Sequence, residues 1–368
     1  MKQTLALTVH ALHGGGAERL MSELAARWSV DHNVHLITWA SVESDTYQVP
    51  EAVQRHGLGL MRPSSNPLMG ILANWQRVRA LRRCLKNIEP SFLLSFCDQM
   101  NILSLQASQG LGLPRWISEH SNPARQNLGP LWEAWRKRTY PKCDGCIVLS
   151  QSIADWMSGI VPSEKLKIIP PSIPDPVNAT AVKADIVSSA QQFDLGHRKR
   201  ILFVGRLSPE KRVDLLIDAW KRIAGKLPEW SLEIVGAGDC QDALRSSVQD
   251  SDRVHFHGWS ENPQTHYARA SIFALSSDYE GFPLAMLEAM SFGLPCAATD
   301  CAGALSNLAS RCQCLLLSPV GDAGGLSANL LRLAEDEERR PKLDSEAQQL
   351  AKEFHWSNIG KLWDSILE

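Results

Sequence analysis

Twelve short runs of this chain are almost wholly apolar, and longer amphipathic segments separate them. The runs lie at 5–9, 34–39, 92–96, 116–118, 146–149 and 166–169, then at 201–205, 232–235, 254–256, 272–275, 295–298 and 314–317. A strand with one wet face alternates apolar and polar residues. A strand covered on both faces does not, and that is the signature of a parallel sheet with helices on either side. Helical spacing falls between the runs at 17–29, 69–87, 101–110 and 131–140, and again at 213–224, 241–249, 283–293 and 323–334. Strict strand–helix alternation predicts an α/β protein made of two doubly wound, Rossmann-like domains.

The length of 368 residues fits two large domains. Pro170, Pro171, Pro174 and Pro176 cluster ahead of a small polar stretch, which predicts a linker at 171–197 between domains at 1–170 and 198–350. From 351 to 368 the pattern is helical, with Trp356, Ile359, Leu362, Trp363 and Ile366 forming an apolar stripe that needs a partner surface. Lys and Arg total 38 against 40 Asp and Glu, which gives no support to nucleic-acid binding. No apolar run reaches the roughly 18 residues of a membrane helix, and the start reads as a first strand, not a signal peptide. Nine scattered cysteines point to a reducing, cytoplasmic setting.

Four segments could carry chemistry. In Ser277–Met290, Glu280 precedes a helix whose first turn should contain Pro283, and Gly281 permits close approach of a ligand to the backbone. Unbonded N–H groups at 281–285 would then favour an anion or a polar group. Glu288 is the only charged residue between Gly281 and Thr299. A carboxylate in such company is either paired with a buried Arg or aimed, with Glu280, at a polyhydroxyl ligand. In Phe203–Arg212, Arg206, Lys211 and Arg212 collect where a strand gives way to a helix, a position that favours anions. A diphosphate among them would resolve the conflict. The turn His13–Arg19 contains Gly14, Gly15 and Gly16 without the spacing of a dinucleotide fingerprint. His120, in Ser118-Glu119-His120, sits at the carboxyl end of a predicted strand, where ligands of open α/β sheets gather.

Other signals are weaker. Asp250-Ser251-Asp252 has the form of a metal–diphosphate motif but reads as a solvated connection. Cys143/Cys146 and Cys312/Cys314 lack a second pair at zinc spacing. Asn178-Ala179-Thr180 is a glycosylation sequon without secretory context. Trp132, Trp135, Arg136, Lys137, Arg138, Tyr140 and Lys142 form a basic, aromatic helix suited either to anionic lipid headgroups or to covering its own sheet.

Taken together, Glu280 and Glu288 separated by seven residues, Gly205-Arg206-Leu207 followed by Lys211, and Gly14–Arg19 resemble the retaining GT-B glycosyltransferases, in particular the group 1, family-4-like enzymes. The resemblance covers nearly the whole chain. It implies two Rossmann-like domains facing a cleft, with the last helix crossing back to the first domain. It also implies that Arg206 and Lys211 bind the donor diphosphate, that Glu280 meets the transferred sugar, assisted by backbone at Gly281 and Phe282, and that Glu288 holds the ribose. His120 would approach the reacting centre, Gly15 and Gly16 would touch phosphate or acceptor, and His257 would lie near the base. No metal or other cofactor is implied beyond the nucleotide-sugar co-substrate. The implied partners are that donor, UDP-linked by expectation, and a glycan or lipid-linked acceptor of cell-surface polysaccharide or lipopolysaccharide synthesis at the inner face of the membrane. The stretch from Cys301 to Asn307 departs from the family in lacking an acidic residue. Two other readings stay open: a catalytically silent sugar-nucleotide-binding subunit, and a nucleotide-sugar epimerase on the same fold.

Overall fold

A computed structural model of the chain describes residues 2–61, 67–124, 126, 128–175 and 199–368. Most of the predicted linker and the sequon at Asn178 lie outside the described residues. The chain forms two compact units, one of Met1–Pro171 with Gly360–Glu368, the other of Ser172–Ile359.

The N-terminal unit contains β1 (Thr4–Val9), β2 (Asn33–Thr38), β3 (Gln54–Gly57), β4 (Phe92–Phe96), β5 (Arg115–Ser118), β6 (Gly145–Val148) and β7 (Leu166–Ile168). They make one sheet in the order β3-β2-β1-β4-β5-β6-β7, parallel at every pairing. Every residue of β4 and β6 is buried, as two covered faces require. The two edge strands differ from these: β7 has no buried residue, and β3 is a polar edge strand (Gln-Arg-His-Gly) that periodicity did not reveal. One core cluster joins Ala6, Ile37 and Leu93 of the strands to Leu81, Leu85 and Met100 of two helices.

The C-terminal unit contains β8 (Arg200–Val204), β9 (Ser231–Val235), β10 (Val254–Gly258), β11 (Ile272–Leu275), β12 (Cys296–Thr299) and β13 (Leu315–Ser318). Their order is β10-β9-β8-β11-β12-β13, again parallel throughout. In both sheets the chain starts in the middle, winds outward, and then reverses direction beside its first strand. The reversals fall between β1 and β4 and between β8 and β11. Loops leaving the carboxyl ends of such neighbours part in opposite directions and open a crevice, the usual ligand site of this architecture.

The tail folds as Arg340–Lys352 and Trp356–Asp364. Residues 351–359 group with the C-terminal unit, so the return to the N-terminal unit begins at Gly360. Ile359, Trp363 and Ile366 are buried, whereas Leu362 is 41% exposed and leaves the expected stripe. Within the N-terminal unit Trp363 packs on Phe96 with ring centroids 5.5 Å apart. Asp364 accepts from Arg27 Nε at 2.8 Å and from Trp28 Nε1 at 3.1 Å.

Candidate active site

The reversal in the C-terminal unit brings two predicted residues together. Lys211 lies in the short turn Pro209–Lys211 after β8, and Glu280 lies in the loop after β11. Lys211 Nζ donates to Glu280 Oε1 at 2.6 Å, with both side chains mostly buried. Ser277 Oγ donates to the same oxygen at 2.8 Å, and Ser276 Oγ donates to the carbonyl of Lys211 at 2.8 Å. The N–H of Asp278 reaches the carbonyl of Glu210 at 2.8 Å. Neither serine was singled out in the sequence. Their signal was position, since they are the first two residues past a wholly buried strand.

Arg206 sits on the loop between β8 and this turn. It is exposed, and among the described residues its guanidinium makes no ion pair. The backbone beside it is held by close approach of a second loop, itself tied to the end of β10. Leu207 N–H donates to Ala237 O at 3.0 Å, Cys240 N–H donates to Leu207 O at 2.9 Å, and Gly236 N–H donates to Gly258 O at 2.7 Å. Gly236 has φ of +141°, and a Cβ on it would overlap the carbonyl of Gly205. The Gly236-Ala237-Gly238 sequence is therefore no dinucleotide fingerprint; its glycines let two backbones touch beneath Arg206.

Gly281 and Phe282 follow Glu280, and the Phe282 ring packs on Phe354 at 5.4 Å. The helix starts at Leu284, with Pro283 as its N-cap and not inside the first turn. Leu284 N–H already donates to Phe282 O at 3.0 Å, so the free amides number fewer than the sequence suggested. Glu288, one face along that helix, is half-buried. Its Oε2 accepts from the buried Tyr267 hydroxyl at 3.1 Å, a phenol where a buried Arg was one expectation. His257 lies on β10, with Nε2 2.5 Å from Glu233 Oε2 and its ring tilted against that of His266, centroids 4.9 Å apart. In the altered stretch after β12, Cys301 offers its carbonyl to Glu280 N–H at 3.2 Å, and Asp300 accepts from Ser306 Oγ at 2.6 Å. Burial and the nearby Glu280 push the Cys301 thiol up to about 12, so it stays protonated.

The N-terminal unit holds the other predicted residues. Gly15 caps the helix Gly16–Trp28, and the Glu18 carboxylate folds back over its Cα. Gly14 and Gly16 are exposed beside it, past the end of β1. His120 follows β5; its ring lies 4.2 Å from Phe96, and Nε2 is 3.0 Å from Ser118 Oγ. Burial pushes its pKa down to about 3, so the imidazole is neutral at physiological pH. The helix Pro130–Thr139 covers its sheet. Trp132 and Trp135 pack on the core cluster and Arg136 has no exposure. The helix therefore does cover its sheet, while Lys137 and Arg138, with Lys142 just past its end, stay exposed on its outer side.

Two family models match the chain, Glycosyltransferase Family 4 at residues 14–175 and Glycosyl transferases group 1 at 198–336. A Campylobacter jejuni protein named GalNAc-alpha-(1->4)-GalNAc-alpha-(1->3)-diNAcBac-PP-undecaprenol alpha-1,4-N-acetyl-D-galactosaminyltransferase is 28% identical over 99% of this chain and 98% of its own length. The lipopolysaccharide 1,6-galactosyltransferase of Escherichia coli is 30% identical, over 64% of each chain. Among solved structures, sucrose-phosphate synthase from Thermosynechococcus elongatus superposes with a TM-score of 0.83 at 20% identity, covering 100% of this chain and 99% of that one. Anabaena Alr3699/HepE in complex with UDP and glucose gives 0.78 at 19% identity, covering 99% of each. Two parallel α/β units with those matches place the chain among the glycosyltransferases of the GT-B fold, its first half the family 4 domain and its second the group 1 domain.

Proposed function

We propose that the protein moves a sugar from a UDP-linked donor to a lipid-linked glycan acceptor, with retention of anomeric configuration and without a metal ion. The observation that carries this reading is the Lys211–Glu280 pair at the sheet reversal, with the exposed Arg206 guanidinium on the adjoining loop. In it, Arg206 and Lys211 grip the diphosphate and neutralise the charge that develops as the sugar leaves, the kind of preorganised stabilisation that dominates many catalysed reactions. Donor phosphate competes with Glu280 for Lys211, which frees the carboxylate to accept sugar hydroxyls. Glu288 holds the ribose with Tyr267 fixing its second oxygen, His257 lies toward the base, and Gly281 and Phe282 supply backbone contacts. On the acceptor side, Gly15 and Gly16 allow close approach and the neutral His120 donates or accepts a hydrogen bond at the reacting sugar. The names of the Campylobacter and Escherichia coli relatives support a lipid-linked or lipopolysaccharide acceptor, and the Anabaena complex supports UDP.

Such an acceptor brings the enzyme to the cytoplasmic membrane surface. Among the described residues no helix is long and apolar enough to cross a bilayer. The surface that fits lipid is the helix Pro67–Ile88, which carries five basic residues and no acidic one. Ile71 at 62%, Trp75 at 56% and Leu72 at 47% exposure put apolar side chains in water beside them. Basic and apolar groups together suit an anionic interface.

The test is UDP release from UDP-GalNAc, UDP-GlcNAc, UDP-galactose and UDP-glucose with undecaprenyl-linked acceptors, and NMR of the product's anomeric proton. Turnover that survives EDTA and gives the donor's own anomer supports the reading. Nucleotide binding without turnover on any acceptor overturns it in favour of a silent subunit.

A further inference from the structure

The N-terminal unit buries four polar side chains that the transfer reading leaves unused. Glu119, Asn101, Arg136 and Tyr140 all have no exposed surface. Glu119 is the first residue past β5, one position before His120, and the other three lie about it. Ser118 and His120 share a hydrogen bond at 3.0 Å and so face the same side of the extended chain. Glu119, between them, points the other way, into the helices. There it accepts a short hydrogen bond from the Tyr140 hydroxyl and lies 3.5 Å from Asn101 Nδ2. The same Asn101 amide donates to Ser118 O at 2.9 Å, Cys97 N–H donates to that carbonyl at 3.0 Å, and Glu119 N–H donates to Ile147 O at 2.9 Å. Arg136 packs over the Tyr140 and Trp156 rings, and its ion pair is with Glu133 at 3.4 Å. Its Nε and both terminal nitrogens, like Glu119 Oε2, are buried without a hydrogen bond among the described residues.

We infer that Glu119 is a positioning residue for His120, holding the peptide that presents the imidazole through its charge as well as its shape. The inference rests on the role proposed for His120. Stability alone is a weak reason for such a cluster, because replacing buried charges by apolar side chains of similar volume is often neutral or stabilising. A carboxylate is costly there, yet it sits one residue from the group the reaction needs.

The charge is poised to change. Burial pushes Glu119 up to about 7, Arg136 opposes that, and Asp98 adds to it. Cys97, Cys146 and Tyr140 also face the carboxylate, and burial pushes all three upward, so they stay neutral. Above neutrality the ionised Glu119 balances Arg136 and accepts from Tyr140; below it, Arg136 loses that counter-charge and the mount loosens.

Selective ¹⁵N-histidine labelling of the full chain tests this without donor or acceptor, with the His120 ring signal assigned through His120→Gln. His120 itself stays neutral across pH 6–8, so an inflection in its ring shifts near 7 reports Glu119. Glu119→Gln should abolish that inflection. Tyr140→Phe should move it upward, because the lost hydrogen bond favoured the ionised form. A flat wild-type curve, an inflection that persists in Glu119→Gln, or an unmoved midpoint in Tyr140→Phe overturns the inference, and the wild type and Tyr140→Phe decide it if Glu119→Gln does not fold. With whichever UDP-sugar is turned over, Glu119→Gln should lower kcat about 10-fold and leave KM within about 3-fold; an unchanged kcat also overturns it. Ring inflections as expected in a protein that transfers nothing count against the transfer reading alone.

Discussion

Lys211 and Glu280 are 69 positions apart in sequence and meet because β8 and β11 are neighbours at the reversal of their sheet. Glu280→Gln keeps the Ser277 hydrogen bond and removes the charge. We expect it to remain folded by circular dichroism and to lose transfer by at least about 10²-fold, since it removes a charged partner from the reacting centre. Gly236→Ala tests the backbone contact beneath Arg206. A left-handed φ and an overlap with Gly205 O leave no room for a Cβ, and a melting curve should show a loss on the order of 1–3 kcal/mol or more. Single residues were legible in the sequence where a charge stood out against apolar neighbours, as at Glu280 and Glu288. They were illegible where the partner came from a distant element. Tyr267 and Asn101 are ordinary residues until folding puts a carboxylate beside them, as is Glu233 until it meets His257.

The elements divide the same way. All twelve apolar runs became strands, most of them buried on both faces. The edge strand Gln54–Gly57 has no apolar run because little covers it. The short helices Gln151–Met157, Gln264–Arg269 and Gly303–Ala309 complete two turns or fewer, too little for a helical period to show. The basic, aromatic helix Pro130–Thr139 packs Trp132, Trp135 and Arg136 inward and leaves Lys137 and Arg138 exposed, while Pro67–Ile88 displays a cluster of exposed apolar groups. Replacing Ile71, Leu72 and Trp75 together with Ser should reduce co-sedimentation with vesicles containing anionic lipid. The same changes should leave vesicle-free UDP-sugar hydrolysis within about 2-fold, because surface substitutions away from special features act weakly. Undiminished vesicle binding would remove this helix from consideration.

At the scale of the molecule, the last nine residues belong to the unit in which the chain began. Trp363 and Ile366 fill that unit's core, and Asp364 ties itself to Arg27 and Trp28. Ending the chain after Ile359 should therefore cost the N-terminal unit at least about 3 kcal/mol, the loss expected on removing one large buried aromatic side chain. Denaturant unfolding followed by fluorescence checks this. The hydrogen bond from Arg27 holds the Asp364 carboxyl below its ordinary range. Its contribution is therefore complete above the usual aspartate pKa of about 4 and is lost as the pH falls through the lower, folded-state value. Asp364→Asn should flatten that acid limb of the stability curve and leave the neutral region offset by a constant amount.

This arrangement also sets an order of assembly during translation. The segment that completes the opening sheet's packing is made long after that sheet, so Phe96 and the Arg27 side chain wait through the synthesis of more than 260 intervening residues before Trp363 and Asp364 arrive. A nascent chain stalled anywhere in between carries an unfinished first half, whatever the state of the second, and is a natural client for chaperones that recognise uncovered aromatic surface.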